Sequence, residues 1–345
     1  MLRISKISFP GLGIETFDVN SVAFEIFGME IAWYAVLITL GMVCAVVYTI
    51  YQARKIGITT DDVIDFALFT IPIGVIGARL YYVMTKLEDF DTFWDVINIR
   101  SGGLAIYGGI IAGGLTVLTV CYFKKINFFA FADCVSPGVI IAQGVGRWGN
   151  FMNGEAFGDR VEDLFCRMGL QNQNTAYTFG TSEMVYVHPT FLYESLWNIA
   201  GFLLAAFLTK KKKYDGQIFL IVFGWYGLGR MFIEGLRTDS LYIPGTELRI
   251  SQVLAAAIFI VCSALLIYLA IKKPTVALYH KAPKDNKNCE AVAEGSKLSD
   301  SIKALLAKVI DSVKGILDKL KGNSEEKNNT ESPEDHKSED DPKDN

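Results

Sequence analysis

Residues with obvious chemistry fall in three short runs of this 345-residue chain. Gly146-Arg147-Trp148-Gly149-Asn150-Phe151-Met152-Asn153-Gly154-Glu155 interleaves one arginine, two asparagines and a glutamate with glycines. Arginine pairs bidentately with phosphate and related oxyanions. Asparagine amides donate to the same oxygens, and glycines let the backbone approach a ligand or adopt φ > 0. The second run is Tyr226, Arg230, Glu234 and Arg237, spaced so that one helix face carries all four. The third is Ser101-Gly102-Gly103-Leu104-Ala105-Ile106-Tyr107-Gly108-Gly109, a tyrosine among small residues. Read plainly, the first run is also a glycine-rich helix exit with capping asparagines, and the third a close helix crossing. Read chemically, the arginines and amides suit a phosphate-bearing head group.

The elements that position these runs follow from composition. Hydrophobic residues make up 51% of the chain and charged ones 20%, and the net charge is −4. The apolar residues lie in tracts of about twenty, enough to cross roughly 30 Å of hydrocarbon. This excludes a disordered chain, a disulfide-stapled secreted module and an ordinary cytosolic enzyme. So small a net charge leaves no electrostatic footprint for nucleic acid. Hydropathy predicts seven spans, at about Ile31–Tyr51, Val63–Met84, Leu104–Phe123, Phe128–Gly146, Thr190–Thr209, Gln217–Ile233 and Val253–Ile271. The fold class is therefore all-α, a polytopic membrane protein with seven transmembrane helices.

Charge placement orients it. Arg54–Lys55, Lys124–Lys125, Lys210 to Lys213 and Lys272–Lys273 follow spans one, three, five and seven. The connections Lys86–Arg100 and Asn150–Val187 are longer and mix positive charges with acids. The positive-inside rule then puts the N-terminus outside and the C-terminus in the cytoplasm. The first thirty residues have Arg3 and Lys6 as their only positive charges and no small-residue cleavage site, so the first tract is not a removable signal peptide.

Residues 1–273 are expected to form the seven-helix transmembrane domain and 274–296 a linker. Over 297–321, Leu298, Ile302, Leu305, Leu306, Val309, Ile310, Val313, Ile316, Leu317 and Leu320 recur with helical spacing opposite lysines, which predicts an amphipathic helix. Such a helix either lies on the inner leaflet or self-associates. The acidic, polar tail 322–345 is expected to be disordered. Of six cysteines, Cys44, Cys121, Cys134 and Cys262 lie in or beside apolar tracts, Cys166 in a polar loop and Cys289 in the tail. Their spacing implies neither a metal site nor a disulfide framework, and nothing calls for a cofactor or a nucleotide.

A charge inside a bilayer costs about 2.5–3.5 kcal/mol on insertion scales, so each one needs a reason. With this orientation Arg79, Arg147, Glu155, Glu194, Arg230, Glu234 and Arg237 all fall at outer-leaflet depth, from four different spans. Tyr107 and Tyr34 are expected to reach the same outer cavity.

At these residues the sequence resembles the bacterial prolipoprotein diacylglyceryl transferase family. The run Gly146–Glu155 is similar to the family signature, and the glycine pairs around Tyr107 to its second motif. Tyr226, Arg230, Glu234 and Arg237 resemble the polar face of its sixth span, and His188-Pro189 with Leu192-Tyr193-Glu194 is also similar. The resemblance covers roughly Met29–Lys273. It implies an enzyme of the bacterial plasma membrane that takes the diacylglyceryl group of phosphatidylglycerol. The acceptor is the lipobox cysteine thiol in a preprolipoprotein signal peptide; a thioether forms and glycerol-1-phosphate leaves.

On that basis Arg147 and Arg230 hold the phosphate, with Arg237 as an outer gate or second contact. Asn150, Asn153, Tyr34 and Tyr226 contact phosphatidylglycerol. Glu155 and Glu234 position arginines or help deprotonate the thiol. Tyr107 departs from the pattern, since many members carry histidine there. A phenol with pKa near 10 is a poor base, so Tyr107 donates a hydrogen bond or the base lies elsewhere; His188 is the sole histidine in the membrane core region. A transporter would place such charges near the midplane with internal repeats. A retinal receptor would need a lysine in span seven.

Overall fold

The computed structural model describes residues 4–272 and 278–281, apart from 91, 100, 101 and 244. Seven helices are long and apolar enough to cross a membrane. They are α1 (Trp33–Arg54), α2 (Thr60–Thr85), α4 (Ile106–Lys124), α5 (Phe128–Asn153), α7 (Thr190–Thr209), α8 (Gln217–Ile233) and α9 (Ile250–Lys272). Short helices α3 (Phe93–Ile97) and α6 (Gln173–Phe179) sit in the connections. Large apolar side chains cover the outer flanks, as at Leu40, Val43 and Val47 on α1 and Ile260, Val261 and Ile267 on α9. In water so large an apolar patch would aggregate; against lipid it is the required surface. The predicted linker includes Leu278–Lys281, whereas the predicted helix over 297–321 and the tail over 322–345 lie outside the described residues.

Backbones approach closely where small residues face each other. A Cβ added at Gly108 would lie 2.3 Å from the Gly77 carbonyl oxygen, so α2 and α4 touch main chain to main chain. Gly41 against Ala142 and Gly138 against Ala45 do the same for α1 and α5. Helices α7 and α8 are joined differently. Trp197 and Trp225 stack with ring centroids 4.3 Å apart. Each indole N–H donates to the other residue's carbonyl at 2.9 Å, a reciprocal clamp that fixes the register of the two helices.

One end of the bundle carries strands that helical reading did not reveal. Strands β1 (Ile4–Phe9), β2 (Ile14–Asn20), β5 (Met168–Gln171) and β6 (Val185–Val187) form an antiparallel sheet in the order β2-β1-β5-β6. Strands β3 (Val22–Ile26) and β4 (Met29–Ala32) form a hairpin leading into α1. Ile7 lies opposite Leu170, and both are buried with Val187, Phe157 and Phe191. Phe151 and Met152 of α5 pack under this core, so the sheet caps the end of α5 that carries the signature run.

The opposite end is tied by charge. Lys124 Nζ lies 2.8 Å from both Asp62 and Asp65, and Lys281 Nζ reaches Asp62 at 2.5 Å. The Tyr279 amide donates to Asp215 at 2.9 Å and the Lys281 amide to the Ile56 carbonyl at 2.8 Å. With the Tyr279 hydroxyl donating to the Lys125 carbonyl at 3.4 Å, Leu278–Lys281 straps three inter-helix connections together.

Candidate active site

Helix α5 does not stop at Gly146 but runs on to Asn153. Arg147, Asn150 and Asn153 are therefore spaced by three on one helical face. The glycines of the run divide their work. Gly149 makes room for Tyr34, whose ring atom Cδ2 would lie 2.7 Å from an added Cβ. Gly154 takes φ 59° and ends the helix. The backbone N–H groups of this stretch are spent within the helix, which leaves its side chains as the groups able to meet a ligand. The sequence expectation that glycines bare the backbone here gives way to packing and capping.

Four elements deliver charges to this place. Glu194, in the first turns of α7, is the hub. Its Oε2 meets Arg147 Nη2 of α5 at 2.7 Å. Its Oε1 meets Arg230 Nη1 of α8 at 3.0 Å and Arg237 Nη1 beyond α8 at 3.2 Å. Arg230 is held from its other side by Glu234, Nη2 to Oε2 at 2.5 Å, the i, i+4 pair that the spacing predicted. Arg237 forks onto Asp239 through Nε at 2.9 Å and Nη2 at 2.7 Å. Arg147 Nη1 donates to Asn150 Oδ1 at 3.3 Å. Asn150 and Asn153 in turn donate to Glu155 Oε1 at 3.1 and 3.2 Å. Arg147 Nε is buried without a hydrogen-bond partner, an unspent donor of the cluster. Beside the hub, the Trp148 indole donates to Ser195 Oγ at 3.1 Å and ties α5 to α7.

Burial opposes ionisation of Asp239, but the hydrogen bonds and charge of Arg237 outweigh it and hold its carboxyl below the usual carboxylate range. Burial likewise works against the Arg237 cation, and Asp239, Glu194 and Glu234 overcome it, so Arg237 stays firmly protonated. Arg237 is thus a fixed cation with little solvent around it, which strengthens its pull on an anion, while its partner Asp239 is half exposed.

The site residues expected from sequence divide into two groups. Arg147, Asn150, Asn153, Glu155, Arg230, Glu234 and Arg237 form one continuous network, and Tyr34 and Tyr226 stand within electrostatic reach of Arg147 or Glu155. Tyr107 stands apart from the network's hydrogen bonds, its hydroxyl 3.4 Å from Ser251 Oγ of α9. From sequence Glu194 stands out as a costly charge and as part of the family-like run after His188-Pro189, but not as a site residue; that a lone carboxylate inside a span must be matched by cations was the available signal.

Arg79 has a different task. Its Nε donates to Val96 O at 2.8 Å, Nη1 to Gly102 O and Gly103 O at 2.6 and 2.9 Å, and Nη2 to Asp95 O and Asn98 O at 2.6 and 3.1 Å. All five guanidinium hydrogens are thus spent on the connection that leads to Tyr107. His188 Nδ1 lies 3.3 Å from Tyr193 Oη, which lies 3.7 Å from Cys166 Sγ.

The arrangement is an anion cradle: three arginines aimed at one carboxylate, flanked by two amides. Residues 21–268 match the family model for prolipoprotein diacylglyceryl transferase. The phosphatidylglycerol–prolipoprotein diacylglyceryl transferase of Enterococcus faecalis is 40% identical over 277 residues, covering 78% of this chain and 97% of that protein. Transferase 1 of Clostridium perfringens is 44% identical over 240 residues, 69% of this chain and 89% of its own. The Clostridium botulinum transferase is 42% identical over 257 residues, covering 74% and 98%. With the matched segment running from before the first spanning helix into the seventh and including Arg147, Arg230 and Arg237, the chain belongs to the prolipoprotein diacylglyceryl transferase family.

Proposed function

We propose that this protein transfers the diacylglyceryl group of phosphatidylglycerol to the lipobox cysteine of a preprolipoprotein, the first step of bacterial lipoprotein maturation. The observation that carries the reading is the convergence of Arg147, Arg230 and Arg237 on Glu194, with Arg147 Nε unspent. A phosphodiester entering the cradle meets guanidinium groups already aimed at an anion, so little reorganisation is needed as charge builds. The inward bias of lysine and arginine supports an outer-leaflet site in the plasma membrane, with the N-terminus outside and the C-terminus cytoplasmic.

The reaction forms a bond from sulfur to the diacylglyceryl carbon that bears the phosphate and breaks that carbon's bond to oxygen. The electron pair leaves on glycerol-1-phosphate. Arg147 and Arg230 take the phosphate, and Asn150 and Asn153 orient the head group. Tyr34 and Tyr226 line its approach. Arg237, anchored by Asp239, closes the outer side. Glu234 keeps Arg230 in place. Glu155 is held by amides rather than by an arginine, and it is the carboxylate we assign to receive the thiol proton. The arginine field lowers the pKa of that thiol from about 8.5. Tyr107, hydrogen-bonded to Ser251, borders the site as a hydrogen-bond donor.

The test uses purified protein in detergent with phosphatidylglycerol and a synthetic lipobox peptide. The peptide is expected to gain the mass of one diacylglyceryl group while glycerol phosphate appears in equal amount. A peptide with serine in place of cysteine is expected to gain nothing. Glycerol phosphate release that ignores the cysteine would make the protein a lipid hydrolase instead.

A further inference from the structure

Between the sheet and the end of α5 lies a cavity of about 610 Å³, within the ~300–1,000 Å³ range of specific small-ligand sites. Asn153 and Glu155 form one wall, and Gln171, Asn172, Gln173 and Asn174 line much of the rest. The first wall belongs to the cradle: Glu155 Oε1 accepts from Asn150, which accepts from Arg147. The second wall is held in place by its own hydrogen bonds. Asn172 Nδ2 donates to Ser5 Oγ and Gly154 O at 3.0 and 2.8 Å, and Asn174 Nδ2 to Gly154 O at 3.1 Å.

This chemistry selects an occupant. Acyl chains need an apolar lining, and here amides dominate. A phosphate needs cations, yet among the described lining residues none is an arginine or lysine and Glu155 is the one that carries a charge. Side-chain amides are both donors and acceptors, the match for a peptide backbone. The cavity also has in its wall Glu155, the group assigned to the thiol proton.

We infer that this cavity is the acceptor subsite for the polypeptide that follows the modified cysteine, an extended, uncharged segment bound through its main chain. The inference rests on the transferase reading above. It assigns to the outer sheet and α6 the role of steering the acceptor, so that its cysteine arrives between Glu155 and the arginine-held phosphate.

The experiment compares two acceptor peptides with the same signal segment and cysteine. One ends just after the cysteine, and the other continues for about six uncharged residues, roughly 20 Å when extended. Two full-length variants are measured beside wild type, Ala176→Trp, which fills the cavity, and Gln173→Leu, which removes one amide. Wild type is expected to show a KM for the long peptide about tenfold below that of the short one, the worth of one or two net hydrogen bonds. Ala176→Trp is expected to erase that difference, and Gln173→Leu to remove part of it. The short peptide's turnover and the KM for phosphatidylglycerol should stay at wild-type values. Equal KM values for both peptides in wild type, or an equal defect with both in Ala176→Trp, would overturn the inference. A raised KM for phosphatidylglycerol alone would overturn it too and give the cavity to the lipid head group. Absence of transfer to either peptide by wild type would instead sink the transferase reading itself.

Discussion

Glu194→Gln removes one negative charge from the centre of the arginine cluster while keeping the side chain's shape. Arg230 and Arg237 lie 3.0 and 3.2 Å from the same Glu194 oxygen. Their Nη1 atoms are therefore no more than ~6 Å apart, where two unit charges repel by ~3 kcal/mol at an effective dielectric near ~20. Arg147, 2.7 Å from the other oxygen, loses its partner as well. Deleting one member of a buried ion pair costs about 3–5 kcal/mol by an independent route, so both estimates place the loss near ~3 kcal/mol. Unfolding can be followed with a thiol-reactive fluorogenic dye on heating, because Cys121, Cys134 and Cys262 are buried and report exposure. The expected result is a clearly lower midpoint, with transfer to a lipobox peptide slowed ~10²-fold, the usual cost of a displacement of about 1 Å in a reacting group. Glu194→Asp keeps the charge on a shorter arm and should fall between. A Glu194→Gln protein that melts and turns over like wild type would refute the hub.

Other expectations follow from the same contacts. Arg79→Lys offers three donors where five carbonyls wait; faster proteolysis around residues 93–105 is expected, and unchanged cleavage would count against the clamp. Trp197→Phe and Trp225→Phe should each cost ~1 kcal/mol and the double variant less than their sum, since the indoles bond each other reciprocally. Strictly additive losses would show that the two bonds are independent. Asp239 has a folded pKa below its unfolded value near 3.9, so its pairing with Arg237 stabilises the protein fully above about pH 4 and is lost as pH falls through the folded pKa. The stability gap between wild type and Asp239→Asn should therefore be widest near neutrality and close in acid; a gap that widens in acid would contradict the pairing.

Hydropathy made the seven helices legible because each span must satisfy its own backbone and present apolar side chains to lipid. It failed at the end of α5, where Arg147, Asn150 and Asn153 lower the local hydropathy although the helix continues to Asn153. The sheet escaped because it is assembled from distant pieces: β1 near the N-terminus pairs with β5, which lies in the connection after α5. No local pattern in Ile4–Phe9 announces a partner so far along the chain. The cradle was largely legible, since charges in apolar tracts must find one another, and Arg230 to Glu234 follows helical spacing. What spacing cannot give is who holds whom. Arg79 and Arg147 are the same residue type in similar tracts, yet Arg79 spends every donor on carbonyls while Arg147 keeps one unspent. Tyr107, grouped with the cradle by sequence, meets Ser251 across the α4–α9 contact, a pairing that depends on how nonadjacent helices pack.

If the arginine cluster receives the phosphate of phosphatidylglycerol during transfer, removing Arg147 must stop the reaction. The deciding measurement is the mass of a lipobox peptide after incubation with phosphatidylglycerol and either wild type or Arg147→Ala, both verified as folded by the dye assay. Wild type is expected to leave a peptide heavier by one diacylglyceryl group, and Arg147→Ala an unmodified peptide. Equal modification by the two proteins would contradict that role of the cluster.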